Sequence, residues 1–363
     1  MPLPSSFSAA FVNNYAVAAL VERVRTSVVA APTASVINAV GAIVVVVVAV
    51  AAAQRIYQGG PTYFVQTMGF GLAQGSIFAL VALGYTMVYG IIELINFAHG
   101  DVFTLGGFVA LPLFALFGIS PGAHYALAYV PVLVLVFVAV MAINGLVNIT
   151  IERVAYRPLR NAPRLAPLIT AIGMSFILEG AMYLWRGPVN LRFPDLIPAN
   201  RYSTSLVDIG VKDVMVVAVT LFLVVMLSLF INRTKLGKAM RATAQDRDAA
   251  QLMGIDINRT IAATFFIGAA LAGAGGLVFA LYFNSIRFDL GFAAGLTAFT
   301  AAVLGGIGNI EGAALGGLVI GIIRSLVDRY VSASWSDVII FAILIIVLVF
   351  RPTGLLGMRV PEK

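Results

Sequence analysis

Residues 211–260 read VKDVMVVAVTLFLVVMLSLFINRTKLGKAMRATAQDRDAAQLMGIDINRT. Positions 211–231 are apolar almost throughout and match the roughly 20 residues that a helix needs to cross a bilayer. The next stretch, 232–260, sets Arg233, Lys235, Lys238, Arg241, Arg247 and Arg259 among Asp246, Asp248 and Asp256. A continuous apolar run ending in a charged loop is a transmembrane helix, because outer-membrane strands alternate apolar and polar residues over about ten positions.

Working outward, similar runs cover 35–53, 63–92, 102–119, 125–150, 165–185, 261–283, 292–309, 313–330 and 338–350. The sequence therefore predicts an all-α polytopic membrane protein with about ten transmembrane helices. Composition agrees: 61% of the 363 residues are hydrophobic and 11% charged, where a soluble domain has about a quarter charged. Mean hydropathy is +1.00. The 35 glycines suit helices that approach closely in lipid. Without cysteine there is neither disulfide nor thiolate metal site, and no metal site is expected.

The net charge of +7 has two readings, nucleic acid or a cytoplasmic surplus of Lys and Arg, and only the second fits a chain of spans. With the N-terminus inside, residues 1–35, 151–164, 232–260 and 351–363 face the cytoplasm and carry fifteen of the 23 basic residues. That surplus predicts N-in and C-in. Residues 186–210, with Pro188, Pro194 and Pro198, become the largest external loop. Residues 1–35 read as a cytoplasmic extension or interfacial helix ahead of a transmembrane domain over 36–363. Ala51-Ala52-Ala53 also resembles a signal-peptidase site, and that alternative stays open.

Absences remove enzyme classes. At Leu236-Gly237-Lys238 the earlier glycine of a phosphate-binding loop is replaced by Asn232, so the chain lacks that route to ATP. Two histidines, His99 and His124, and no H-E-x-x-H motif leave no catalytic set.

Two breaks interrupt the oily runs. In 84–107, GYTMVYGIIELINFAHGDVFTLGG, the polar residues Glu93, Asn96, His99 and Asp101 fall between apolar segments. Charged groups near a membrane interior line cavities, pair, or mark helix breaks. The set reads either as a discontinuity beside the transport path or as a cytoplasmic turn with Asp101 at the start of the next helix. In 305–321, GGIGNIEGAALGGLVIG, Gly308, Gly312 and Gly316 recur every fourth residue, as do Gly317 and Gly321; close helix packing is the expectation. Asn96-(x)3-Gly100 and Leu105-Gly106-Gly107 echo Asn309-(x)2-Gly312 and Leu315-Gly316-Gly317. The echo hints at two related halves and adds Asn309 to the path candidates. In the charged loop, Ala239 to Met253 reads as one short helix stopped by Gly254, a shape suited to docking a partner.

The blocks ALGYTMVYGIIELINFAHGDVFTLGG, ERVAYRPLRNAPRLAPLITAIGMSFIL, GKAMRATAQDRDAAQLMGI, FTAAVLGGIGNIEGAALGGLVIG and RPTGLLG closely resemble the LivH-type permease of branched-chain amino-acid ABC importers. The resemblance covers about residues 63 to 358. It implies an inner-membrane subunit, without a bound cofactor, that pairs with a homologous second permease (LivM-like), two ATP-binding subunits that use ATP and Mg, and a periplasmic substrate-binding protein. It also implies a coupling helix at Ala239 to Gly254, with Arg241, Gln245, Asp246, Arg247, Asp248, Met253 and Gly254 meeting the ATPase. Urea and amide importers have related permeases, so that substrate class is the nearest alternative. An ion-coupled secondary transporter is the rival from another class; it would usually carry paired ionisable groups at mid-membrane, where only Glu179 and Arg324 stand.

Overall fold

In the computed structural model the backbone is described for residues 33–92, 96–160, 162–163, 165–203, 208–351 and 353–357, and side chains within these from 62 onward except 203 and 208. The chain divides into two compact units, Met1–Gly60 and Pro61–Lys363. In the first unit residues 33–60 are helical, while 1–32 lie outside the described residues, as does most of the expected N-terminal extension.

The elements of the second unit run α1 (Thr33–Ile92, here taken from Thr62), α2 (His99–Leu116), α3 (Val130–Ile151), α4 (Leu165–Arg186), β1 (Leu191–Arg192), β2 (Arg201–Ser203), β3 (Asp208–Gly210) and α5 (Val211–Arg233). There follow α6 (Lys235–Gln245), α7 (Arg247–Leu252), α8 (Ile257–Phe283), β4 (Ser285–Ile286), α9 (Leu290–Gly305), α10 (Ile310–Val327) and α11 (Ala333–Phe350). Seven helical segments among the described residues are long and apolar enough to cross a membrane. The sequence suggested about ten; the difference lies at 35–53, whose side chains fall outside the described residues, at α9, which is shorter, and at Ile310–Phe350, where α10 and α11 join in one helical stretch through the wide turn Asp328–Ser332. The chain is a multi-pass membrane protein.

Two helices form the centre. In the most apolar parts of α1 and α8, 89% and 83% of the residues are buried, against 28% in α5. Leu184, Leu221 and Phe222 on α4 and α5 instead point outward, as lipid-facing side chains must where the solvent is itself apolar. Glycine sets the central contacts. A Cβ at Gly276 of α8 would meet the carbonyl oxygen of Phe103 in α2. On α10, Gly312 and Gly316 sit against Gly305 and Ala301 of α9, whereas Gly317 and Gly321 sit against Ala79 and Gly75 of α1. The two glycine rows of the sequence thus pack two different helices; Gly308 stands outside them, before α10, at φ +91°.

The expectation of pure helix needs a small correction. β1 pairs antiparallel with β4, Leu191 opposite Ile286, and β2 with β3, Tyr202 opposite Ile209. The proline-rich 186–210 segment cannot extend a helix, so it folds back: Phe193 N donates to Asn284 O (3.0 Å) and Asp195 N to Ala123 O (2.9 Å). Lys212 Nζ then reaches Asp195 (2.7 Å) and Asn284 Oδ1 (2.6 Å). Burial raises the Asp195 carboxyl, but the bonds from Lys212 and Asn284 and the nearby His124 outweigh it and hold the group below the usual carboxylate range.

Candidate functional site

The break after α1 places its polar residues inside the helix cluster. Asn96, His99 and Asp101 are all buried, His99 and Asp101 completely. Glu93 lies outside the described residues. Asp101 stands in the first turn of α2, as its sequence position suggested, yet the turn is no surface feature. Ser175 Oγ donates to Asp101 Oδ2, and Ser175 is ten residues into the 22-residue helix α4, about 15 Å from its start at 1.5 Å per residue. The first turns of α2 and α9 meet here, with Gly100 against Gly291 and Gly295, and Gly291 against Asp101 itself. The first turns of two helices therefore close around one carboxyl group.

Around this point the cluster is tightly filled. Tyr156 Oη donates to Asn96 Oδ1 at 2.7 Å, and the His99 ring meets the Tyr85 ring edge-on at 4.7 Å between centroids. Both His99 ring nitrogens, Asp101 Oδ1 and Asn96 Nδ2 have no hydrogen-bond partner among the described residues. Such groups normally cost about 1–3 kcal/mol each. Sequence reading missed Ser175, Tyr85 and Tyr156. It also passed over Asn144 and Asn148, both fully buried; one helical turn apart in an apolar run, they could have been found from that spacing. Asn148 Nδ2 donates to Phe265 O (3.0 Å).

Asn309 does not join this set. Its side chain caps α10, accepting from Gly312 N (3.1 Å), and its Nδ2 donates to Leu356 O (2.9 Å), docking residues 353–357 onto the α9–α10 turn. It lines a cavity of about 460 Å³ with Gly90, Met240, Arg241 and Gln245, so it belongs with the charged loop rather than with Asn96, His99 and Asp101.

The charged loop forms two helices where one was expected. Asp246 interrupts Ala239–Met253 with extended backbone (φ −155°, ψ 114°), and its side chain accepts from Asp248 N (2.9 Å) and Ala249 N (3.0 Å). Aspartate is among the best N-caps, and an N-cap must leave helical geometry, which ends α6 and starts α7. Gly254 ends α7 at φ +83°, with Ile255 N returning to Ala250 O (3.1 Å), the left-handed stop its glycine allows.

The residues assigned to ATPase contact lie mostly at the surface. Arg241, Gln245, Asp246, Asp248, Met253 and Gly254 are exposed and Arg247 is half-buried, while Leu252 and Met253 are 88% and 83% exposed. The two arginines bond inward: Arg241 Nη1 to Ile231 O (2.5 Å) and Arg247 Nη2 to Ile91 O (2.7 Å). Behind them the fully buried Glu152 pairs with Arg157 (2.9 Å) and Arg160, and Arg160 also holds Asn258 Oδ1 (2.6 Å). Burial, only partly offset by Glu152, sets the Arg160 guanidinium below its ordinary value.

Residues 67–348 match the family model described as branched-chain amino acid transport system / permease component. The high-affinity branched-chain amino acid transport system permease protein BraD of Pseudomonas aeruginosa is 43% identical over 83% of this chain and 98% of its own length. The corresponding permease LivH of Escherichia coli K12 is 42% identical over the same shares. A probable branched-chain amino acid transport permease from Methanocaldococcus jannaschii is 31% identical over 78% of this chain and 89% of its own. The chain belongs to the family of branched-chain amino acid transport system permease components.

Proposed function

We propose that this chain is the permease subunit of an ABC importer and forms half of the transmembrane path for branched-chain amino acids. It sits in the inner membrane with both termini inside. A homologous second permease completes the path, two ATP-binding subunits supply the energy with ATP and Mg bound to them, and a periplasmic binding protein delivers substrate. The chain itself holds no cofactor. Counting α9, α10 and α11 singly, together with the helical segment before Gly60, gives about ten crossings behind an N-terminal extension. The echo around Asn96 and Asn309 suggests related halves.

One observation carries the reading: Arg247, at the head of the exposed helix α7, bonds to Ile91 O at the end of α1. The proposed docking surface is thereby tied to the helix that leads into the Asn96, His99 and Asp101 cluster, so a push on α7 is delivered to the break. The buried Asp101 would also serve a proton-coupled carrier, the second reading.

The test is leucine uptake by the chain co-expressed with its ATP-binding and second permease subunits. Uptake should vanish when the ATP sites are inactivated and persist in the presence of an ionophore. The opposite pattern would sink the proposal in favour of ion coupling.

A further inference from the structure

At the far end of α1 from Ile91, 28 positions away and so about 42 Å along the helix, two polar faces enclose a cavity of about 360 Å³. One face belongs to α1, where Tyr63, Gln66 and Phe70 fall at i, i+3 and i+7. The other is the end of α10 and the turn beyond it, with Asp328 and Arg329; Arg201 of β2 closes the side. The floor is shut. Ser325 Oγ donates to Thr67 O (2.8 Å), and a Cβ at Gly71 would meet Ile322 Cα at 2.8 Å.

The charges in this cavity are mixed in a particular way. Arg329 lies over the Tyr63 ring (5.1 Å from guanidinium carbon to centroid) and makes no ion pair with a described residue. Asp328 is half-buried and accepts from Ser336 Oγ. The walls between them are the rings of Tyr63 and Phe70, the latter backed by Tyr282 (6.1 Å) and Phe283 (6.5 Å). A guanidinium and a carboxylate beside aromatic walls complement a free α-amino acid as a zwitterion: its carboxylate to Arg329, its ammonium to Asp328, its aliphatic side chain against the rings. A guanidinium suits a carboxylate because its planar fork matches the two oxygens.

We infer that this cavity is an entry site for a zwitterionic amino acid, held above a closed gate formed by Ser325–Thr67 and Gly71–Ile322. The assignment rests on the importer reading, which makes this end of the bundle the outer one. The site is separate from the buried Asp101 cluster and holds substrate before the gate parts.

The test uses the purified complex of permeases and ATP-binding subunits in nanodiscs, without binding protein, and measures equilibrium binding of leucine. Wild-type complex should bind leucine and prefer it to leucinol, which lacks the carboxylate, and to 4-methylpentanoate, which lacks the ammonium. Arg329→Gln and Asp328→Asn should each weaken leucine binding about tenfold to a hundredfold, the effect of losing one charged hydrogen bond, while Arg329→Lys should retain most of it. The analogue comparison needs no variant to fold. Equal binding of all three ligands, or leucine binding unchanged in both neutral variants, overturns the assignment. Unchanged leucine binding with weakened binding-protein association would do so too, making the cavity a protein contact. Leucine uptake by the full wild-type system with no leucine binding to the complex removes this site alone; absence of ATP-dependent uptake removes the importer reading and the site with it.

Discussion

Arg247 Nη2 donates to the carbonyl oxygen of Ile91 at 2.7 Å, linking two residues 156 positions apart. Ile91 is next to the last residue of α1, so its carbonyl is among the four that a helix leaves without an internal partner. The arginine supplies the missing donor and ties α7 to α1. Arg247→Ala should cut ATP-driven uptake at least tenfold, consistent with about 1.5–3 kcal/mol for a charged hydrogen bond, with ATPase co-purification retained. Arg247→Lys should recover part of the uptake. Equal uptake by wild type and Arg247→Ala would break the link.

Ser175 gives Asp101 its hydrogen bond in the middle of the helix cluster. Ser175→Ala leaves that buried carboxylate without this donor and should lower stability by about 1–3 kcal/mol, read as a lower melting temperature in detergent. Ser175→Thr, which keeps the hydroxyl, should melt closer to wild type than Ser175→Ala. If the alanine variant melts at the wild-type temperature, the Asp101 contact contributes nothing.

Glycine substitutions should divide by what a Cβ meets. Gly276→Ala strikes the Phe103 carbonyl, and Gly317→Ala strikes the backbone of Ala79; overpacking of this kind costs about 1–3 kcal/mol. Gly180→Ala in α4 meets nothing within 4 Å, and there the better helix propensity of alanine should leave stability equal or higher by up to about 1 kcal/mol. Folded yield by fluorescence size exclusion separates the two classes.

The Asp195–Lys212 bridge gives a pH signature. The Asp195 carboxyl is held below its unfolded value, so its stabilisation is fully present above the unfolded pKa of about 3.9 and is lost as pH falls through the lower folded value. Melting temperature between about pH 5 and 2 should therefore fall less steeply in Asp195→Asn than in wild type. Parallel curves would show that the bridge adds nothing.

Much of this was legible in the sequence because lipid imposes a simple code: long apolar runs are helices, and glycine rows are contacts. The run 211–231 and the glycine row from Gly312 to Gly321 read correctly for that reason. What stayed hidden depends on which helices meet. Ser175 is one hydroxyl in an apolar run until α4 packs beside α2, and nothing local couples Arg247 to Ile91. The split at Asp246 was a misjudged competition: helix propensity across Ala239–Met253 was outweighed by one capping carboxylate. Asn309 was assigned by its echo of Asn96, whereas its place is fixed by a cap and by the docking chain end.

The central claim, that an ATP-driven partner grips the exposed end of α7, can be tested because the chain contains no cysteine. A single Leu252→Cys or Met253→Cys gives one accessible thiol whose maleimide reactivity can be timed in membranes with and without the ATP-binding subunits. The account predicts rapid labelling of the permease alone and strong protection in the complex, with Leu116→Cys at the far end of α2 labelled equally in both. Identical labelling of Cys at 252 or 253 in the two preparations would contradict it.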